Sequence, residues 1–478
     1  MTPSEPTSTQ SDAVTLVLKW GLIAVALLAP LPFGSVTAPG RLALEASAAM
    51  LALVWTAGAA ARGTALPPLA VRLGVAGMLT LALVQSLPLG AAVVGSVSPN
   101  AIEVREAAIP SGEVLEIENR LLQRDSRRLE AAPALSLEPE RTASALRTGA
   151  VFAIVLLVAV SVSRASGARA LAAALLVSAA FQALYGILVL ASGHDMIWMW
   201  PKEHYLDSAT GTFVNKNHFA GFLEGALPCG LALILSEWRR HDRRGHSLRA
   251  RLVDLFGRDG IRTLFLTVLL VVGIAGLLLS LSRAGTALGL GALIGTIAAA
   301  GQRGLRARLV VAALVLAMAT VPLLQIGADR LTVRYSKTAD DLAVSGGRME
   351  IWKGAADIGA DFPVFGAGFG TFAAAYPLYR SPDVRRFFNH AHNDLLQVFA
   401  EGGALGLLFL GMILAPVASR LVRAFTGAEG TLAVGFAAGL AAVLLHALVD
   451  FNFHIPSNGA VAALLAGALL GLPWRRRS

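Results

Sequence analysis

The chain has 478 residues, of which 55% are hydrophobic and only 15% charged, with a mean hydropathy of +0.64. Soluble globular proteins carry about 25% charged residues, so this balance excludes an ordinary soluble protein and reads as an all-α polytopic membrane protein. The net charge of +9 comes from arginines at the edges of apolar runs and does not suggest a nucleic-acid partner, and the single cysteine, Cys229, excludes an intramolecular disulfide.

The first stretch, 1–12, is polar and poor in basic residues, and no A-x-A pattern follows the first apolar run, which reads as an uncleaved helix. A membrane helix needs about 20 mostly apolar residues. Candidates fall at 14–33, 41–60, 70–94, 144–163, 168–191, 217–236, 263–281, 285–301, 309–327, 393–416, 431–449 and 457–473, about twelve in all. This divides the chain into spans 1–3 (1–94), a polar segment (95–142) and spans 4–9 (143–327). A large segment (328–392) and spans 10–12 (393–478) complete it. Gly and Ala are abundant in the spans, which suits close helix packing in lipid, and no internal repeat stands out.

Arginines in short loops orient a membrane chain. Arg62, Arg72, Arg164, Arg169, the eight arginines of 237–262, Arg303, Arg306, Arg308, Arg420, Arg423 and the terminal WRRRS all fall on one side. The turns at 34–40 and 450–456 have no Lys or Arg. Both termini are therefore expected in the cytoplasm. The segments 95–142 (with a charged surface helix at 113–130), 192–216 (aromatic) and 328–392 are expected outside. Seven of the nine histidines land at or beyond that outer face. No GxxxxGK[ST] phosphate loop is present, so whatever is transferred there must arrive already activated.

Candidate chemistry concentrates on the same side. In GTFVNKNHFAGFL, Lys216, Asn217 and His218 open a helix, and a helix N-terminus with a lysine is a ready anion site; Asn217 as a simple cap is the plainer reading. Arg283, in LLLSLSRAGTALGL, sits between two apolar runs. It reads as a snorkelling interfacial arginine or as a guanidinium fork aimed at a lipid phosphate. Arg348 heads a segment apolar at Met349, Ile351, Trp352, Ala355, Ala356 and Ile358, a short amphipathic helix fit to lie along the interface with Trp352 at headgroup depth. Arg348 itself faces water or supplies a second phosphate ligand.

The sharpest candidate is His392, in VRRFFNHAHND. An imidazole takes a proton near neutral pH, and a proton must leave an acceptor hydroxyl as it attacks an anomeric carbon. Asn393 and Asp394 follow it, suited to orient the ring or a sugar, and Arg386 precedes it. A core or helix-capping histidine is the plainer alternative. His390, His392 and Asp394 also mimic an H-x-H-x-D metal pattern, but the further ligands of that pattern are missing, and no metal is expected. In HALVDFNFHIPSNGA, His446, Asp450, Asn452 and His454 cluster, either lining a common cavity or satisfying one another.

The run SGGRMEIWKGAADIGADFPVFGAGFGTF followed by HAHNDLLQVFAEGGALGLLFL resembles the shared C-terminal region of the bacterial O-antigen ligase and O-antigen polymerase superfamily, which includes O-linked oligosaccharyltransferases of protein glycosylation. The likeness rests on His392 and, further along, Gly403. Ser282-Arg283-Ala284-Gly285 departs from a Ser-Arg-Gly-like motif by an inserted alanine. GTFVNKNHFAG and the ending H-x3-D-F-x-x-H-I-P resemble a ligase-like subgroup. The firm likeness covers about 260–460.

The resemblance implies a GT-C-like fold in the bacterial inner membrane, with a helical periplasmic domain between spans 9 and 10. It implies an inverting glycosyltransferase whose donor is a glycan on undecaprenyl diphosphate, without metal, nucleotide sugar or other cofactor. His392 would serve as base or acceptor activator with Asp394 beside it. Arg283 and Arg348 would bind the diphosphate, supported by Lys216 and Arg386. Asn217, His218, Asn393, Asp450 and His454 would face glycan or acceptor. The acceptor would be lipid A core for a ligase, another lipid-linked repeat for a polymerase, or a protein hydroxyl; the residues leave these open. A lipid-linked-glycan transporter is the reading from another class. It would place charges near the bilayer midplane; most of the Arg and His candidates cluster at the outer face, while Glu45 and Glu224 lie within spans.

Overall fold

A computed structural model describes residues 8–62, 65–108, 133–242, 257–300, 347–381, 387–427 and 429–473. In chain order its helices are α1 (Ser8–Leu28), α2 (Ala38–Arg62), α3 (Leu69–Ser86), α4 (Ala91–Val97) and α5 (Pro99–Ala108). Then come α6 (Pro139–Ser166), α7 (Arg169–Ser192), α8 (Lys216–Asp242), α9 (Arg258–Leu279) and α10 (Arg283–Ala299). The last are α11 (Arg348–Asp361), α12 (Phe372–Ala375), α13 (Asp394–Phe425), α14 (Thr431–His446) and α15 (Pro456–Gly471). By length and composition seven of them (α2, α3, α6, α7, α8, α9, α13) can cross a membrane, and apolar parts of α1, α10, α14 and α15 are shorter. The protein is an all-α polytopic membrane protein. Helices dominate because in lipid each backbone polar group must be satisfied within its own segment.

Each candidate span among the described residues overlaps one of these helices, and the one at 70–94 overlaps two. The span at 309–327, the surface helix at 113–130, the basic stretch 243–256, the segment 328–346 and Arg386 lie outside the described residues.

Three departures have local causes. The span expected over 70–94 stops at Ser86, because Pro88 disfavours helix at the residue before it and Gly90 takes φ +85; a separate short helix, α4, begins after it. The aromatic segment 192–216 contains a minimal antiparallel hairpin, β1 (Met196–Ile197) with β2 (Trp200–Pro201), in a chain expected to be wholly helical. Its Trp198 donates its indole N–H to the Leu31 carbonyl at 2.9 Å. The third departure is a break inside α13 at Gly403.

The contacts divide the chain into two units. The first holds Met1–Pro68, Val151–Ser336 and Ala415–Ser478. Its axis is α8, whose most apolar window is 94% buried and which packs against α7, α9, α10 and α14. Gly285 of α10 abuts Ala220 of α8, and Gly289 abuts Glu224 one turn further on, so the two helices run parallel. A side chain at Gly285 would collide with Ala220. α15 runs the same way, with Asn458 at His218 and Val461 and Leu465 beside Gly225. Three helix N-termini therefore share one end of this unit. At the opposite end of α15, buried Arg420 donates to the carbonyls of Leu469 and Leu472 and pairs with Glu429 at 3.0 Å. The arginine read only as an orientation marker thus also satisfies carbonyls that α15 leaves open.

The second unit holds Leu69–Ala150 and Lys337–Leu414. Its core joins Ile351, Ala355 and Ile358 of α11 to Phe362, Phe372, Tyr376, Ala391 and Ala400. Half of the apolar stripe expected to lie on lipid, Ile351, Ala355 and Ile358, is thus packed inside the protein; Trp352 and Ala356 are half-buried and Met349 is exposed.

At Gly403 (φ 60, ψ −156) the backbone enters a region open essentially to glycine alone. The broken α13 frees the carbonyls of Ala400 and Glu401 and the N–H groups of Ala404 and Leu405. The Gly-rich turn takes all four: Ala367 N–H bonds Ala400 O (2.9 Å) and Gly368 N–H bonds Glu401 O (3.0 Å). Ala404 and Leu405 donate to the carbonyls of Pro363 and Val364 at 2.8 and 3.2 Å. Irregular backbone in a membrane helix is tolerated where protein groups re-satisfy it, and here they do.

Candidate functional site

In the second unit the turn before α13 carries His390, His392 and Asn393, and Asp394 opens the helix. His392 is half-buried and has φ +51, in the left-handed region where a non-glycine residue is strained. Trp352 donates its indole N–H to the His392 carbonyl at 3.3 Å. Trp352 sits one helical turn after Arg348 on the same face of α11, so the guanidinium-bearing turn and the histidine's main chain are neighbours. The imidazole meets the ring of Phe388 edge-on at 6.5 Å, and Phe388 continues through Tyr376 to Phe372. Burial pushes the Tyr376 phenol above its ordinary pKa.

Asn393, expected toward a sugar, caps α13: its Oδ1 accepts from Leu396 N–H at 3.0 Å and its carbonyl from Gln397 N–H at 3.0 Å. Asp394 is buried in the first turn, where a carboxylate complements the helix dipole. Three buried residues that sequence reasoning missed complete this half. Gln397 accepts from Ala391 N–H (3.0 Å) and reaches His390 Nδ1 (3.2 Å). Glu401 accepts from Gly370 N–H (2.9 Å), Phe372 N–H (3.0 Å) and Gln397 Nε2 (3.0 Å). Gln85 of α3 donates to the carbonyls of Phe365 and Glu401 and accepts from Phe369 N–H. A glutamine in an apolar span was the available signal.

In the first unit Asn215, not Asn217, caps α8, accepting from Asn217 N–H at 2.8 Å. This releases the Asn217 side chain to donate to Asp450 Oδ2 at 2.8 Å. His218 Nε2 lies 3.7 Å from Asp450 Oδ1, its ring edge-on to Phe451 at 4.5 Å. Asn458 joins the His218 carbonyl to Asn452 Oδ1. The fold therefore brings Asn217, His218 and Asp450 into one polar cluster, with His454 half-buried in the adjoining turn.

Lys216, the first residue of α8, is buried with its ammonium 5.5 Å over the Tyr205 ring. Lys202 holds the main chain of that turn by donating to the carbonyls of Tyr205 and Ser208. Arg283 is the first residue of α10, behind Ser282, whose Oγ accepts from Gly285 N–H at 3.3 Å. The Ser and Gly around Arg283 are thereby a cap and a packing contact. With α8 and α10 parallel, Lys216 and Arg283 stand at the same end of the unit, where the positive ends of helix dipoles gather.

One further pair lies deeper. His446 Nδ1 meets Glu224 Oε1 at 2.9 Å with both residues buried, so Glu224 has a partner inside the unit. Removing one member of a buried pair strands the other. His446→Ala is expected to lower stability by about 3 kcal/mol, read as a drop in the thermal midpoint of the solubilised protein; an unchanged midpoint would show that the pair contributes nothing.

Among the described residues no group of three or more His, Cys, Asp or Glu side chains is arranged to share a metal ion. A protein-family model described as O-Antigen ligase matches residues 268–411. The matched region includes Arg283, Arg348, His392, Asp394 and the Gly403 break, and excludes Lys216 and the 446–458 turn. No curated protein matches the chain.

Proposed function

We propose, from the family-model match over residues 268–411, that the chain is a ligase-type glycosyltransferase of the O-antigen ligase and polymerase superfamily in the bacterial inner membrane. Its donor is a glycan on undecaprenyl diphosphate, its acceptor a hydroxyl at the periplasmic face, and its product part of the cell-surface polysaccharide. Support comes foremost from His392, whose strained main chain is held by Trp352 of the helix that Arg348 opens.

In this reading His392 takes the proton of the acceptor hydroxyl as the oxygen attacks the anomeric carbon from the side opposite the diphosphate, inverting the centre. The bond to the diphosphate oxygen breaks, and charge grows on the leaving group. Cations act most strongly where charge develops, which is the role proposed for Arg348, with Arg386 in support. Lys216 and Arg283, beside the N-termini of α8 and α10, offer the same phosphate-binding chemistry in the first unit. Asp394 supports the histidine's turn; Asn217, His218, Asp450 and His454 are proposed toward glycan, and Asn393 acts through its cap. The step needs no metal or other cofactor, because the donor is already activated.

The test is a strain lacking this gene. Its lipid-linked precursor is expected to accumulate and its surface polysaccharide to disappear on a gel, with both reversed by the wild-type chain. A single band restored on lipid A core marks a ligase, a ladder of repeats a polymerase, and glycan on protein a protein-glycosylating enzyme. Unchanged precursor and polysaccharide levels would rule the reading out. Arg348→Lys keeps the charge but loses the planar fork, and is expected to slow transfer roughly tenfold, the worth of one hydrogen bond to a charged group. A wild-type rate in that variant would remove Arg348 from the diphosphate.

A further inference from the structure

We propose that Gln397 and Glu401 are positioning residues that hold the His392 imidazole in its reacting orientation, an inference that rests on the transferase reading above. The two side chains stand one turn apart on the same face of α13, 1% and 3% exposed. Buried amides and carboxylates are costly unless bonded, and a leucine or methionine would fill this space more cheaply. The bonds they make have one direction. Glu401 grips the main chain of the Gly-rich turn at Gly370 and Phe372 and passes the grip to Gln397 through Oε1. Gln397 then holds the Ala391 N–H, immediately before His392, and touches the His390 ring.

On its other side the His392 carbonyl is held by Trp352, and the next residue, Asn393, is committed to its cap. A left-handed histidine persists only where its surroundings over-determine it. Here the peptide unit that follows His392 and the one that precedes Ala391 are both pinned, which brackets the histidine. The chain of bonds Gly370/Phe372–Glu401–Gln397–Ala391 therefore translates the shape of the glycine turn into the direction of the imidazole. Without it, the main chain before His392 relaxes toward ordinary φ values and the ring swings away from an acceptor oxygen. Misplacement of a reacting group by about 1 Å costs on the order of 10²-fold in rate.

The experiment uses the full-length protein in nanodiscs. The donor is the lipid-linked glycan accumulated by the deletion strain, and that strain's membranes supply the acceptor. Gln397→Leu, Glu401→Leu, Glu401→Gln and His392→Asn are compared with wild type for kcat, donor KM and thermal midpoint. Gln397→Leu and Glu401→Leu are expected to lower kcat per folded molecule by about 10²-fold with donor KM little changed. Glu401→Gln, which keeps an oxygen for one backbone N–H, is expected to recover part of that loss. The inference is overturned if kcat per folded molecule stays at the wild-type value in both leucine variants, whether or not their midpoints fall. It is overturned as well if Glu401→Gln recovers nothing relative to Glu401→Leu. If His392→Asn is inactive while Gln397→Leu is fully active, positioning alone fails. If wild type transfers nothing, or His392→Asn transfers at the wild-type rate, the transferase reading fails and takes this inference with it.

Discussion

His392→Ala should abolish measurable transfer while the protein accumulates in the membrane at its normal level. A positioned general base contributes about 10²–10⁴-fold, and the loss should appear in kcat, because the proton moves only in the transition state. The side chain's removal also disturbs a residue at φ +51, so alanine alone would confuse chemistry with backbone strain. His392→Asn separates them. Asparagine tolerates the left-handed region far better than alanine does, yet has no basic nitrogen. Both variants should be equally inactive, with lipid-linked precursor accumulating in cells, while a His241→Ala control should retain product. If His392→Asn restores transfer that His392→Ala lacks, the residue serves the backbone and not the proton. Normal product from both at normal expression would remove His392 from the chemistry altogether.

Gly403→Ala should cost about 3–5 kcal/mol, the sum of an inaccessible backbone conformation and disrupted hydrogen bonds. A Cβ there would lie 2.5 Å from the Val364 carbonyl oxygen and 2.7 Å from the Gly366 nitrogen. Both atoms are backbone and cannot turn aside. Gly366, at φ +72, faces the Glu401 carbonyl just as closely, so the two glycines lie back to back. Displacing either would break the exchange of bonds by which residues 363–368 satisfy the interrupted helix. Gly403→Ala should therefore lower the folded yield and thermal midpoint by far more than Gly411→Ala, where a Cβ meets nothing within 4 Å. Equal midpoints in the two variants would mean that the helix can straighten through Gly403, and that the break is not required.

The likeness that rested on His392 and Gly403 acquires a physical reason in the same place. The histidine stands at the start of α13 and the glycine at its break. Between them Gln397 and Glu401 face the glycine turn. Nothing in the letters Q and E inside an apolar run shows which main-chain groups they will bond. Asn393 and Asn217 show a related limit. Short polar side chains near a helix start serve as cap or as reach, and only the position of the true cap decides which. At α8 that cap is Asn215, which leaves Asn217 for Asp450.

The Arg348 segment shows the same limit on a larger scale. Its periodicity made it an amphipathic helix, and α11 is one, but periodicity does not say what covers the apolar stripe. Protein covers half of it, at Ile351, Ala355 and Ile358.

By itself the sequence determined that this is a helical membrane protein, and which cations and histidines stand at the ends of its apolar runs. Those features follow from the cost of unpaired backbone and of charge in lipid, and both costs are local to a segment. Only the tertiary structure decided that α10 and α15 pack against α8, that Glu224 has His446, and that a broken α13 is mended by a glycine turn. Each depends on which distant groups meet, and a buried hydrogen bond takes its meaning from the partner at its other end.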